Sequence, residues 1–278
     1  MKLATLRKVG STVAVRLDGD SVVEIDGFAD VGALLASPDW RDLAAQASGA
    51  VHALDQISPT GWEAVVPAPS KIVCVGLNYR NHILEMGREL PEHPTLFAKY
   101  PEALIGPYDT IVLPVEAPDE VDWEGELAVI IGAKTRRADG EVAQASIAGY
   151  SVLNDVTMRD FQYRTPEWFQ GKTFEGTSPF GPYMVTADEF ELQGELRTEV
   201  DGEVVQTTGI DDLVFSPVEL VSYISHIVTL NPGDVIASGT PGGVGHARKP
   251  PRYLYDGALL TTSIEGLGEL RNPVVRET

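Results

Sequence analysis

Two glutamates set two apart, Glu124 and Glu126, stand in the stretch VDWEGELAVIIG (residues 121–132), and Asp155 follows in LNDVTMRDFQ (153–162). The first stretch reads as a β-strand, because LAVII is a continuous apolar run of the kind that is buried. Side chains alternate along a strand, so both glutamates share one face while Gly125 leaves the other bare. Like charges side by side repel, and beside an apolar core they are costly to desolvate. A hard divalent cation removes that cost. Three carboxylates, with water or substrate completing the shell, suit Mg²⁺, Mn²⁺ or Ca²⁺ better than zinc. The alternative is a pair of solvated glutamates on an exposed strand, and the buried run beside them argues against it.

Other residues could supply the remaining chemistry. The segment NYRNHILEMGRELPEHP (78–94) holds His82 and Glu85, an H-x-x-E pair that shares one face if the segment forms a helical turn. A carboxylate accepting a hydrogen bond from imidazole fixes its tautomer and raises its basicity, which makes a general base for water. The far end of this segment, with its Gly and Pro, suits a mobile lid. Lys172 sits among Trp168, Phe169 and Phe174 in WFQGKTFEGTSPFGP (168–182); it is either a solvated surface charge or a cation aimed into a pocket. The Gly-rich ASGTPGGVG (237–245) follows a strand without the G-K-[ST] ending of a phosphate loop, so a nucleotide site is disfavoured. Its backbone N–H groups, Gly239 among them, can bind a carboxylate, with Thr240 adding a hydroxyl. Lys99, in LFAKYPEAL (96–104), is assigned a structural role, its stem covering a strand edge. His226 belongs to an amphipathic helix, and His52, His93 and His246 have no metal-ligand spacing. No nucleophile elbow and no dinucleotide-binding fingerprint is present.

The elements that must position these residues are mostly strands. Residues 3–8, 12–17 and 21–26 read as short strands, with Asp18-Gly19 as a hairpin turn. Two helix-like segments follow within 30–56, around VGALLA and WRDLAAQASGAVHALDQI. Pro67-Ala68-Pro69-Ser70 reads as a linker, dividing a small α+β module (1–66) from a main domain (70–278). The main domain carries strands at 71–77, 126–132, 149–156, 234–240 and 258–274, strand and turn over 103–114, and a hairpin over 196–206 turning at Asp201-Gly202. One helix is signalled by Ser216 as N-cap, Pro217 in the first turn and Glu219 completing a capping box. The 278 residues carry 41 acidic and 21 basic side chains, a formal charge of −20, which repels nucleic acid and anionic lipid. With no apolar run long enough to span a membrane, no secretory h-region and a single cysteine, Cys74, flanked by apolar residues, a cytoplasmic location and a buried structural thiol are expected.

In their order and spacing, GLNYRNHILEMG, PTLFAKYPEALIGP, VDWEGELAVIIG, GYSVLNDVTMRDFQ, GKTFEGTSPFGP, LRTEVDGEVVQ and LNPGDVIASGTPGGVG resemble the fumarylacetoacetate hydrolase family, in its bacterial acylpyruvase and hydroxymuconate isomerase-like branch. The matching pieces span residues 70 to 274. The resemblance implies a mixed, strand-rich β-roll catalytic domain and a homodimer, an α+β fold overall with the small N-terminal domain. It implies Glu124, Glu126 and Asp155 as ligands of Mg²⁺ or Mn²⁺, His82–Glu85 as the catalytic dyad and Lys172 as the active-site lysine. Arg159 and Gln162 would contact substrate and Thr240 its carboxylate; Tyr79, Met86, Tyr163, Trp168 and Phe169 would face an apolar or aromatic substituent. The family often reads K-S-F-D at the lysine, whereas this chain has Lys172-Thr173-Phe174-Glu175, so Glu175 is given no role. The expected reaction is hydrolysis of a C–C bond of an acylpyruvate to pyruvate and a carboxylic acid. Oxaloacetate decarboxylation and isomerisation of hydroxymuconate-type 2-oxo acids are the alternatives on the same scaffold, and a binding protein with a degenerate site is the alternative of another class.

Overall fold

The computed structural model of the protein describes residues 1–278 apart from Met86 and Arg88 and the side chains of His82 and Glu85. In chain order the strands are β1 (Lys2–Lys8), β2 (Ser11–Asp18), β3 (Ser21–Glu24), β4 (Val51–Ala53), β5 (Ile72–Gly76), β6 (Thr95–Lys99), β7 (Leu104–Ile105), β8 (Ile111–Leu113), β9 (Val121–Asp122), β10 (Gly125–Ile131), β11 (Ile147–Asn154), β12 (Thr157–Met158), β13 (Ser178–Thr186), β14 (Glu195–Val200), β15 (Glu203–Gly209), β16 (Val235–Ala237), β17 (Leu259–Ile264) and β18 (Gly268–Arg276). The α-helices are α1 (Val31–Leu35), α2 (Trp40–Ala45), α3 (Arg80–Glu85), α4 (Gly140–Ala145), α5 (Arg159–Gln162), α6 (Phe169–Lys172) and α7 (Pro217–Ile227). This is the strand-rich α+β fold expected. Among the described residues no helix is long and apolar enough to cross a membrane.

One large sheet runs in the order β4-β3-β2-β1-β13-β11-β10-β16-β5-β6, with β7 added beside β13; a second sheet runs β15-β14-β17-β18-β8. Alternation along β10 sorts its side chains into two cores. Leu127, Val129 and Ile131 join the core formed with Leu196, Ile264 and helix α7, whereas Ala128 and Ile130 join the core under α1 and α2. The buried run of the sequence is therefore a strand covered on both faces. Strand β1 pairs antiparallel with β13, Lys2 opposite Val185, so the first residues of the chain extend the main sheet.

The capping box of α7 forms as expected: Ser216 Oγ accepts from the Glu219 N–H, and Glu219 accepts from the Ser216 N–H. The hairpin β14–β15 turns at Asp201-Gly202. One expectation fails: the second helical segment ends at Ala45, and Val51–Ala53 pairs with β3 instead. Gly49 interrupts the helical pattern where a Cβ would strike the Glu24 carbonyl and the Asp26 side chain.

Candidate active site

The three acids meet because of strand register. Gly125 stands opposite Asn154 and Glu126 opposite Leu153. The Asp155 N–H donates to the Glu124 carbonyl at 2.8 Å, which sets these two residues side by side across the strands. All three carboxylates fall on the face of Ala128 and Leu153, and one oxygen of each lies within 4.8 Å of the others. The opposite face at Gly125 is not bare: a Cβ there would strike Thr198 Oγ1, Thr262 Cγ2 and Leu196 Cδ2 of the second sheet. Glutamate-glycine-glutamate is thus the pattern of a strand whose one face holds charges and whose other face is pressed against a neighbouring sheet.

Three buried cations answer these acids. Lys172, at the end of α6, donates to Glu124 Oε2 at 2.6 Å and Asp155 Oδ2 at 3.0 Å. Burial works against its charge, but Asp155 and Glu124 outweigh burial and hold its pKa above the ordinary lysine value. Lys99 was expected to be structural; it is fully buried and belongs to the site. Its Nζ donates to Ser178 Oγ at 2.8 Å and to the Lys172 carbonyl, and lies 2.9 Å from Asp155 Oδ1. That last approach is off the direction of a hydrogen bond, so Oδ1 has no donor among the described residues. Lysine two residues after Phe97 on one strand shares its face, and Phe97 lines the same cavity as Lys172; this was the signal in LFAKY. Burial opposes the charge of Asp155 too, and Lys172 and Lys99 together hold its pKa below the usual carboxylate range.

Arg159 is spent internally. Its Nε donates to Asp122 Oδ2 and its Nη1 to Gln162 Oε1, both at 2.8 Å, and its Nη2 lies 2.8 Å from Asp122 Oδ2 and from Glu124 Oε1 as an ion pair. Gln162 is thereby oriented with its amide N–H₂ left for a ligand. Asp122, which sequence reasoning did not single out, is a hub: Oδ1 accepts the N–H of Trp123 and of Gly245, and Oδ2 that of His246. Its only mark in the sequence was its place two residues before Glu124.

The glycine-rich loop after β16 supports the acids. Gly239 (φ +101°) donates its N–H to Glu126 Oε2 at 2.8 Å, and a Cβ there would meet the Val75 carbonyl and the Asn78 side chain. Its donor, expected on substrate, is therefore taken by a candidate ligand carboxylate. Thr240 Oγ1 donates to the Gly125 carbonyl at 3.0 Å and accepts from Gln206 Nε2, so its proton is likewise committed.

A cavity of about 330 Å³ opens over this floor. Glu124, Arg159, Gln162, Lys172 and Thr240 line its polar part; Val75, Phe97, Trp168 and Val244 line its apolar wall, and Tyr163 and His246 also face it. Tyr79 is not in the lining. It is buried in the core with its hydroxyl unpartnered among the described residues, its pKa raised by burial and then by Glu126 and Asp212. Phe169 packs against Tyr100 instead of facing the cavity. The backbone of α3 carries His82 and Glu85, but their side chains, like Met86, lie outside the described residues. Cys74 is buried, and burial together with Asp155 pushes its thiol pKa up.

The donor set fits a hard divalent cation. Among the described residues, the buried acids Asp122, Glu124, Glu126 and Asp155 oppose three buried cations, Lys99, Arg159 and Lys172. Among the described residues no cation pairs with Glu126, and burial, then Asp155 and Glu124, push its carboxyl well above the usual range. An unpartnered oxygen on Asp155 and an uncompensated Glu126, both within reach of Glu124, are what a metal ion with oxygen ligands would satisfy.

A family model described as fumarylacetoacetate (FAA) hydrolase C-terminal matches residues 71–275. The chain is 42% identical over 215 residues to the mitochondrial oxaloacetate tautomerase Fahd2a of Rattus norvegicus, across 76% of this chain and 68% of that protein. It is 40% identical over 223 residues to the oxaloacetate tautomerase YisK of Bacillus subtilis, across 78% of this chain and 74% of that protein. The solved structure of fumarylacetoacetate hydrolase from psychrophilic Exiguobacterium antarcticum superimposes with a TM-score of 0.87 at 33% identity, covering all of both chains. A strand-borne acidic triad, a buried lysine bridging it and a match over most of the sequence make one conclusion: the chain belongs to the fumarylacetoacetate hydrolase family.

Proposed function

We propose that this protein moves a proton on a 2-oxo acid by way of its enolate, with oxaloacetate as substrate and keto–enol tautomerisation as reaction. The observation that carries this reading is the floor of the cavity. Three carboxylates able to hold Mg²⁺ or Mn²⁺ lie beside a buried ammonium, where negative charge on a substrate oxygen can be stabilised. When bound, the ion supplies Lewis acidity toward the 2-oxo and carboxylate oxygens. Lys172, kept charged by Glu124 and Asp155, faces the charge that develops when a C3 proton leaves. His82, oriented by Glu85, takes that proton, and return of a proton to the 2-oxo oxygen gives the enol. Arg159 holds Gln162 so that its amide can orient the substrate carboxylate. The two relatives named as oxaloacetate tautomerases support the same choice.

Hydrolysis of an acylpyruvate is the second reading. It passes through the same pyruvate enolate, and the apolar wall of Val75, Phe97, Trp168 and Val244 would receive the acyl group. It needs His82 to activate water instead of a C–H bond. One assay separates these readings and decarboxylation. Metal-stripped protein is given Mg²⁺ or Mn²⁺, then oxaloacetate or an acylpyruvate, while enol absorbance and pyruvate are followed together. Metal-dependent loss of oxaloacetate enol without pyruvate supports the tautomerase. Pyruvate from the acylpyruvate moves the assignment to a hydrolase, and pyruvate from oxaloacetate to a decarboxylase.

A further inference from the structure

The cavity has a second polar end that the acidic triad does not explain. His246 lines it in company with Tyr163 and Ala247, which are exposed, whereas Lys172 and Glu124 are buried. The cavity therefore runs from a charged floor to an outer mouth, and His246 stands toward the mouth. Its position is built. The His246 N–H donates to Asp122 Oδ2 at 2.9 Å, so the carboxylate that anchors Arg159 also anchors this residue. Its ring lies 4.9 Å from the Tyr163 ring, and its Nδ1 is 2.9 Å from the Tyr253 hydroxyl. With Nδ1 engaged, Nε2 is the ring nitrogen left for a ligand; among the described residues no protein group bonds to it. A tyrosine hydroxyl donating to Nδ1 leaves the proton of a neutral imidazole on Nε2, and a protonated ring carries one there too.

We propose that His246 determines specificity in this cavity by donating Nε2–H to the distal carboxylate of a 2-oxo dicarboxylate. This rests on the 2-oxo acid reading above and adds to it the chemistry of the far end of the substrate. Arg159 does not serve that end, because Asp122, Glu124 and Gln162 hold its guanidinium at the floor. Lys172 is held at the floor by two acids. The Gln162 amide, held by Arg159, is given to the substrate carboxylate at the floor, which leaves the His246 Nε2–H as the donor toward the mouth. The wall between floor and mouth is otherwise apolar, so a monocarboxylate 2-oxo acid leaves the imidazole unpartnered and gains nothing from it.

The test is binding, not turnover. Oxaloacetate and pyruvate share a 2-oxo acid head and differ by the distal carboxylate. Affinities of both for the Mg²⁺-loaded protein are read by thermal-shift titration for wild type, His246→Ala and His246→Gln. The expected result is a preference for oxaloacetate that His246→Ala reduces about 10- to 100-fold, the range for losing a hydrogen bond to a charged group. His246→Gln, which keeps an N–H donor, recovers part of it, and pyruvate binding stays unchanged in both variants. Equal weakening of both ligands would mean a structural role and would overturn the proposal, as would an unchanged ratio or a wild type without preference. Because the readout is a ratio of affinities, it decides the role of His246 even if oxaloacetate is bound but not tautomerised, in which case the reaction assignment alone fails.

Discussion

Lys99→Met is the sharpest perturbation of the charge balance beneath the cavity. Methionine keeps the volume and the apolar stem and removes one of the two ammonium groups facing Asp155. Both partners are fully buried, so the loss is not that of a surface pair: breaking a buried ion pair on one side costs about 3–5 kcal/mol. Ser178 Oγ and the Lys172 carbonyl lose a donor in the same step. Unfolding entropy of about 2.1 cal/mol/K per residue gives about 0.6 kcal/mol/K for this chain, so Tm should fall by roughly 5–9 °C in metal-free buffer. A divalent cation at Glu124, Glu126 and Asp155 supplies the missing positive charge, so Mg²⁺ should raise the Tm of the variant by more than it raises that of wild type. Thermal unfolding with chelator and with saturating Mg²⁺ reads both effects. A variant melting within about 1 °C of wild type without metal would refute the role given to Lys99, the expected loss being several times larger. Equal Mg²⁺ shifts in the two proteins would refute the shared compensation of Asp155 by lysine and metal.

Gly125→Ala forces a methyl group against Thr198, Thr262 and Leu196, an overpacking that costs about 1–3 kcal/mol and pushes β10 off the second sheet. It should lower Tm by about 2–5 °C and weaken Mg²⁺ binding, both measured by thermal unfolding with and without metal; unchanged metal affinity would mean that the strand does not set the spacing of the glutamates. Glu24 gives a pH prediction far from the site. Burial opposes its charge, but Lys8 and His52 outweigh burial and lower its pKa from the ordinary 4.5. A depressed carboxylate adds stability that is present above its unfolded-state pKa and is lost as pH falls through its folded-state pKa. The urea midpoint of wild type should therefore exceed that of Glu24→Gln at neutral pH, and the difference should close in acid; a gap that persists in acid would count against the ion pair.

The acidic triad was legible in the chain because its signal is local. Alternation along one strand puts Glu124 and Glu126 on the same side, and an apolar run beside them marks the strand as buried. The capping box of α7 and the Asp201-Gly202 hairpin were legible for the same reason: each is a bond pattern within a few residues. The helix-like segment expected around WRDLAAQASGAVHALDQI shows the limit of such reading, since Val51 pairs with β3 across a stretch the local pattern could not weigh. Everything that depends on pairing between distant strands was decided by the tertiary structure. The register of β10 on β11 sets Asp155 beside Glu124, and β6 brings Lys99 beneath both although its own neighbourhood reads as an ordinary strand edge. Asp122 looked like one acid among 41, and His246 like a histidine with no ligand spacing. Their roles come from convergence, because Asp122 gathers donors from residues 123, 159, 245 and 246, and only the folded chain brings those groups to one carboxylate. Sequence alone determined which residue types could bind a metal and on which face of their strand they lie. The fold decided which cations balance them, which donors remain free for a ligand and where the cavity opens, since each of these is a contact between segments far apart in the chain.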